Sequence, residues 1–324
     1  MSERAPDELL DEEAERQELT QTSSEPERET VLSRMLSSLR EDKKALLGAI
    51  VVVFFIGTAL FAPWIAPHDP NQSYGNLQEP NEVSEGDWNG DGETEEVRHF
   101  LGTDSYGQDV LSQIIYGARI SLLVAAATVL FAFTVGTAIG VVAGYYGGWV
   151  DTVLMRYVDF QWAFPTLILA AGIIAFAGGL GVMNVIIAIG VAFIDDFARL
   201  VRGEVLSIRE EEYILAAKAV GMNDMRIMTK EILPNAVAPL IVQVTLMIPL
   251  AILAEAGLSF LGLGVTPTTP TWGLMLSEGR QFISQAWWIS IFPGFAIMIT
   301  VLAFNMFGDG LRDAFDVRET EVSN

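Results

Sequence analysis

Few residues in this chain have the type and spacing to do chemistry. Asp87, Asn89 and Asp91, followed by Gly92, reproduce the D-x-[DN]-x-[DN]-G opening of a calcium loop, whose alternate side-chain oxygens converge on the ion. A twelve-residue loop closes with a bidentate Glu, but Arg98 stands at that place, so calcium needs a shorter loop closed by Glu93 or Glu95. The plainer reading is a solvated acidic insertion, with calcium at Asp87, Asn89, Asp91 and Glu93 as the alternative. Glu255, in "ILAEAGLSF", follows an apolar run. A carboxylate at membrane depth costs at least about 2.5–3.5 kcal/mol to insert, and marks either a gating group or a strut that holds helices together. Asp195 and Arg199 have the i, i+4 spacing of a helical ion pair, which suits a hinge clamp better than a proton relay. His68 and His99 stand far apart, with no partner in view. There are no cysteines, so disulfides, thiol nucleophiles and Cys-ligated metals are excluded. No H-E-x-x-H, Ser-His-Asp order or G-x-x-x-x-G-K-[ST] phosphate loop occurs. The chain reads as a non-enzyme that holds no nucleotide of its own.

The elements that must position these residues are helices made for lipid. The 324 residues are 51% hydrophobic yet carry a formal charge of −22, because the two properties occupy different stretches. Acidic residues crowd positions 1–42 and 69–109. A bilayer core of roughly 30 Å needs about 20 apolar helical residues. Ala45–Pro67, Ile120–Val150, Val237–Ala254 and Gln281–Gly308 each meet that need. Phe160–Ile194 is uncharged but too long for one crossing, and "GGLGVMN" (Gly178–Asn184) supplies a turn within it. The count is six membrane helices in an all-α membrane protein. The first run is longer than a signal-peptide core of about 7–15 residues and follows an acidic leader, so it reads as a retained helix.

Basic residues near the crossings set orientation. With both ends inside, sixteen of the 19 Lys and Arg fall on the cytoplasmic side, and only Arg98, Arg119 and Arg280 fall outside. The expected organisation is an acidic cytoplasmic tail over 1–42, lacking the apolar content to fold, and a first helix over 43–66. An extracellular segment over 67–118, a core over 119–310 with a cytoplasmic segment at 198–235, and a C-terminal tail over 311–324 follow. Excess carboxylate on both water-facing sides also suits a halophilic source, where salt screens self-repulsion. No nucleic-acid partner is expected. Pro165, Pro239, Pro249 and Pro293 lie in or near the membrane helices and are candidate hinges.

The 198–235 segment is the anomaly, a mixed-charge stretch in a hydrocarbon chain. "REEEYILAAKAV" (Arg209–Val220) is rich in helix formers, and Gly221 can take the left-handed conformation that ends a helix. Asn223 or Asp224 can cap a second short helix, and Pro234 closes the unit. Spacing alone leaves two uses open, an amphipathic loop on the bilayer surface or a surface that docks a protein.

The segment resembles the cytoplasmic loop of ABC importer permeases, in which Glu-Ala-Ala is followed three residues on by Gly and then by Ile-x-Leu-Pro. Ala216, Ala217, Gly221, Leu233 and Pro234 match that pattern; Glu231 stands in place of the Ile, with Ile232 beside it, and Leu215 in place of the Glu. Five further stretches resemble the dipeptide/oligopeptide/nickel permease family: His99–Leu122, Gly144–Pro165, Ala198–Tyr213, Ala254–Arg280 and Leu302–Arg318. The long stretch before "LGTD" is similar to the C-type partner of that family's two paired membrane subunits. The resemblance implies an ATP-driven importer of di- or oligopeptides, with nickel chelates or sugars as alternatives. It implies a homologous second permease subunit, two cytoplasmic ATPase subunits that bind ATP and Mg, and an extracellular solute-binding protein.

A short helix over about Met222–Glu231 would dock on an ATPase subunit and move as a lever. Glu212, Tyr213, Leu215, Ala216, Ala217, Gly221, Met222, Asp224, Ile232, Leu233 and Pro234 would form the coupling surface. Leu215 implies an apolar contact there, or a compensating pair from Glu211 or Glu212. Glu255, Asp195 and Pro249 are the translocation or gating candidates. An ion-coupled secondary transporter is the rival class, but uncharged mid-membrane runs and the mixed-charge segment both speak against it.

Overall fold

The computed structural model describes residues 42–266 and 268–322, with side chains to residue 315. The acidic tail over 1–42 lies, but for Asp42, outside the described residues. Asp42 caps the first helix by accepting from the Lys44 backbone N–H at 2.8 Å. Helix α1 (Lys43–Leu60) is followed by a single turn, α2 (Ala62–Ile65). A small hairpin follows, β1 (Val83–Gly86) antiparallel to β2 (Glu95–Arg98), with Val83 opposite Arg98. It is the one departure from an all-helical chain among the described residues.

Helix α3 (Val110–Tyr146) runs for 37 residues. It begins ten residues before the expected apolar run, because the Asp109 carboxylate accepts from the Ser112 backbone N–H at 2.9 Å and starts the helix inside the stretch expected to be external. At 1.5 Å per residue its ends lie about 55 Å apart, longer than a bilayer core.

The charged stretch between the apolar runs Ile120–Val150 and Phe160–Ile194 is helix α4 (Gly148–Trp162). Gly147 and Gly148, at φ +64 and +56, break α3, and helix resumes at once. Three charges in that stretch suggest a loop, but Trp149, Val153, Tyr157 and Phe160 recur at helical spacing and make an exposed apolar stripe. Pro165 then separates α4 from α5 (Thr166–Ala177), and the two meet at 94°.

The turn expected at Gly178–Asn184 is present. Gly178 adopts the left-handed conformation that ends α5, and α6 (Val182–Ala192) begins after Gly181. These helices have 12 and 11 residues, too short to cross alone. Helix α7 (Ile194–Ile208) continues α6 across Phe193. After the 198–235 segment come α10 (Val237–Phe260), a short α11 (Trp272–Gly279) and α12 (Trp288–Val322), which carries the expected C-terminal tail onward as helix. Helices α8 (Glu212–Ala219) and α9 (Asp224–Arg226) lie within that segment. Among the described residues, α1, α3, α10 and α12 are long and apolar enough to cross a membrane, and the bent α4–α5 pair makes a fifth. The six expected crossings thus become four straight spans, one broken pair and the short α6. Of the proline hinges, Pro165 sits at the sharp bend, whereas Pro249 and Pro293 lie inside unbroken helices.

The core is organised around α3 against α7. Gly136, Gly140 and Gly144 sit on one face of α3, where α7 comes close enough that no side chain fits. A Cβ on Gly140 would stand 2.6 Å from the Ala198 carbonyl oxygen, and one on Gly136 2.6 Å from the Phe197 Cβ. Small residues let helix backbones approach and gain dispersion contact, the main attraction available between helices in lipid. Ile194, Phe197, Val201 and Val205 of α7 are buried in this seam. Helix α1 meets α12 in the same way at Gly48, while its other face, with Val53 and Phe54, stays exposed as a lipid-facing surface.

Gly140→Leu should overpack the seam at a cost of about 1–3 kcal/mol, lowering the melting temperature of the purified protein by several degrees. Gly172→Leu on α5, where an added Cβ meets nothing within 4 Å, should leave it unchanged.

Candidate functional site

The mixed-charge segment folds into a compact knuckle. Helix α8 (Glu212–Ala219) ends at Gly221, whose φ is +79. The Gly221 N–H donates to the Lys218 carbonyl at 3.0 Å and the Met222 N–H to the Ala217 carbonyl at 3.1 Å. These two bonds are the Schellman arrangement that ends a helix on a left-handed glycine. The Asn223 side chain then accepts from the Met225 N–H at 2.9 Å and caps a single turn, α9 (Asp224–Arg226). The turn widens into a π-helical stretch, Ile227–Ile232, closed by the Leu233 N–H on the Met228 carbonyl. The second helix of the knuckle is therefore largely π-helical, and begins two residues later than the Met222 expected. Such wide turns are rare and concentrate at functional sites.

The knuckle has two faces. Ile214, Ile227, Met228 and Ile232 are buried beneath it and fasten it to the bundle. Leu215 is 51% exposed, Val220 80% and Met225 64%, with Ala216 and Tyr213 also exposed. Glu211, Glu212 and Arg226 are exposed around this apolar patch, and Ala217 and Leu233 are half-buried. Pro234 and Asn235 follow at the surface, and the Asn235 side chain reaches Tyr213 at 3.2 Å.

Polar ties join the knuckle and α7 to the ends of α3 and α4. The Tyr145 hydroxyl, in the last turn of α3, donates to the Asp224 carboxylate at 2.7 Å, and the Lys218 ammonium sits 5.1 Å from the same ring. Arg202 of α7 grips Asp151 of α4 with two hydrogen bonds, at 2.5 and 2.7 Å. The Arg209 guanidinium donates to the Gly144 carbonyl at 2.8 Å. Asp195 and Arg199 form the expected i, i+4 pair at 2.8 Å, and Arg199 also lies 4.5 Å over the Trp162 ring. Tyr145, Asp151, Arg202 and Arg209 are absent from the sequence-derived set, although all four lie in stretches that resemble the permease family, because each bonds a residue distant in the chain. The spacing G-x-x-x-G-x-x-x-G at Gly136, Gly140 and Gly144 is a signal that could have located the seam they flank.

Towards the opposite end of the bundle, Glu255 is fully buried on α10. Its carboxylate accepts from Ser259 at 2.7 Å and Thr271 at 3.0 Å, with Ser121 of α3 at 3.5 Å. Thr271 also caps α11, and Ser121 accepts from the Trp272 N–H. The group is a strut joining α3, α10 and the start of α11, enclosed by hydroxyls. Pro249 is buried six residues earlier. A cavity of about 450 Å³ lies nearby, lined by Tyr106, Gln108, Gln113, Met275 and Glu278 among others. Burial pushes the Glu278 carboxyl up to about 7, and the negative charge of Asp104 adds to the shift.

In the hairpin loop, the Asp87 carboxylate accepts from the Gly90 and Gly92 backbone N–H groups. Asn89 accepts from the Asp91 N–H, and Asp91 from the Glu93 N–H. These oxygens are engaged in turning the loop. The two histidines, unconnected in sequence, meet at Asp109.

The binding-protein-dependent transport system inner membrane component family matches residues 136–320. The chain belongs to that family. It is a multi-pass membrane subunit of an ABC transporter, works with partner ATPase and membrane subunits, and is not itself an enzyme. The N-terminal TM domain of oligopeptide transport permease C also matches, over residues 30–81. The dipeptide transport system permease protein DppC of Alkalihalophilus pseudofirmus is 45% identical over 278 residues, 86% of this chain and 87% of that one. The di/tripeptide permease DppC of Pseudomonas aeruginosa is 40% identical over 286 residues, 88% and 91% of the two chains. The glutathione permease GsiD of Escherichia coli is 40% identical over 279 residues, 86% and 87%. An inward-facing structure of the MetNI methionine ABC transporter superposes with a TM-score of 0.52 at 20% identity, over 62% of this chain and 96% of that one, and shares the permease fold.

Glu255→Leu should leave the Ser259 and Thr271 O–H donors without an acceptor, at about 1–3 kcal/mol each, and should sharply lower the yield of folded permease. Glu255→Gln, which can still accept from one hydroxyl, should lower the melting temperature far less.

Proposed function

We propose that the chain is the C-type membrane subunit of an ATP-driven peptide importer, and that its knuckle carries motion from a cytoplasmic ATPase subunit into the membrane helices. The peptide substrate is suggested by the dipeptide, di/tripeptide and glutathione permeases to which the chain is similar. Two ATPase subunits, a homologous second permease and an extracellular solute-binding protein complete the assembly in this reading. Both termini lie inside.

The observation that carries the reading is the double character of the knuckle. Its exposed tip is apolar, at Leu215, Val220 and Met225, so a partner gains by covering it. Its base is joined to α3 by Tyr145 and Asp224. A push at the tip therefore reaches the 37-residue α3 without a flexible linker between. Leu215 supplies an apolar contact where the family resemblance implies a Glu. ATP and Mg act in the partner; this chain contributes the lever, and Arg202 with Asp151 keeps α4 and α7 moving with it.

Tyr145→Phe should leave assembly intact while lowering the peptide transported per ATP hydrolysed in proteoliposomes, because the tip still docks but its link to α3 is lost. Val220→Asp should act one step earlier, reducing co-purification of the ATPase several-fold. The absence of cysteines allows the sidedness to be read directly. Val220→Cys should react with an impermeant maleimide only from the cytoplasmic face, and Gly90→Cys only from outside; the reverse pattern contradicts the proposed orientation.

A further inference from the structure

We propose that His68, His99 and Asp109 form a binding site for a divalent transition cation of the zinc type, which clips the hairpin onto the ends of the first two long helices. The three residues come from separate stretches. His68 follows α2, His99 follows β2, and Asp109 caps α3. One ligand atom from each lies within 4.8 Å of the others. The His99 Nδ1 is 3.0 Å from the Asp109 Oδ1, and the His68 Nδ1 is 3.5 Å from its Oδ2. A tetrahedral zinc ion sits about 2.0–2.2 Å from such ligands, so closing the triangle requires ligand-atom shifts of about an ångström.

The surroundings are those of a supported site. His99 and Asp109 are fully buried, and His68 is 17% exposed. The His99 Nε2 lies 3.0 Å from the Ser84 Oγ. With Nδ1 on a cation, Nε2–H donates to that hydroxyl, which fixes the tautomer and the ring, the usual supporting role around a metal-bound histidine. The Asp109 Oδ2 accepts from the Ser112 N–H at 2.9 Å and the Ser112 Oγ at 2.7 Å, leaving Oδ1 turned toward His99. The same Ser112 oxygen accepts from the His68 backbone N–H at 3.0 Å, placing that residue over the start of α3. The His68 Nδ1 makes no hydrogen bond among the described residues. A buried ring nitrogen 3.5 Å from a carboxylate oxygen, with no hydrogen bond of its own, has its lone pair available for a cation.

Tyr74 walls the site, its ring 5.3 Å from His68 and 5.0 Å from His99, and Trp88 meets Tyr74 edge-on at 5.4 Å. Imidazole selects zinc-type cations over calcium and magnesium, which prefer oxygen. The acidic hairpin loop at Asp87–Asp91 therefore takes no part. The open edge beside His68 admits water as a fourth ligand.

The test uses the assembled transporter in lipid nanodiscs, stripped with chelator and equilibrated with micromolar zinc in excess calcium and magnesium. Bound zinc is measured by elemental mass spectrometry. Wild type should retain about one more zinc per copy of this chain than His68→Gln or His99→Gln, and Asp87→Asn should match wild type. Because His99 is wholly buried and its variant can fail to assemble, His68→Gln at the exposed edge carries the comparison. Chelator-stripped wild type should also cleave faster in the hairpin under limited proteolysis, and zinc should restore protection. Equal zinc in wild type and His68→Gln, or a wild type whose hairpin is indifferent to chelator and zinc, overturns the proposal.

Discussion

Everything in this molecule that resembles a machine depends on the backbone contact between α3 and α7. Without side chains at Gly136, Gly140 and Gly144, α7 lies directly on α3, and this proximity lets polar side chains span the remaining gaps. Arg209 reaches the Gly144 carbonyl, and Arg202, whose backbone lies in the seam against Gly140 and Gly144, reaches Asp151 on α4. A wider crossing would leave these guanidinium groups short of their partners. In lipid, where burial gives no hydrophobic gain between helices, close packing followed by polar ties is the available route to a stiff assembly.

Stiffness at one end explains the construction of the other. The knuckle is fixed by apolar residues below and by one phenol–carboxylate bond to α3, and it holds its exposed hydrophobic atoms outward at the tip. The π-helical turns keep Ile227, Met228 and Ile232 all facing the bundle. About 55 Å away along α3, Asp109 starts the helix and gathers His68 and His99. Between these ends, Glu255 locks α3 to α10 and α11 through hydroxyls alone. A single helix thus carries the knuckle at one end, a buried strut along its length and the hairpin at the other end.

Much of this was legible in the sequence, for identifiable reasons. Uncharged runs mark the spans because insertion penalises charge, and Gly221 marks the knuckle because only glycine takes its left-handed turn cheaply. The Asp195–Arg199 pair follows from helical spacing alone. Helix α4 was not legible. Asp151, Arg156 and Asp159 make its stretch look like a loop, and only its partner across the fold, Arg202, explains Asp151. The width of the π-turns carries no local signature. The meeting of His68, His99 and Asp109 depends on the hairpin and on where α3 starts, both set by non-local contacts. Family likeness drew attention to the knuckle but not to Tyr145, which the likeness does not single out.

The central claim is that the knuckle and the end of α3 move as one body. It is tested by double electron–electron resonance between spin labels at Val220→Cys and Tyr146→Cys, both exposed positions in a chain without cysteines. The measurement is made on the assembled transporter with and without trapped nucleotide. The account predicts an unchanged distance distribution between these two labels, while the distance from position 146 to its counterpart on the partner permease shifts. A 146–220 distance that changes by several ångströms, with position 146 fixed relative to the partner, contradicts it.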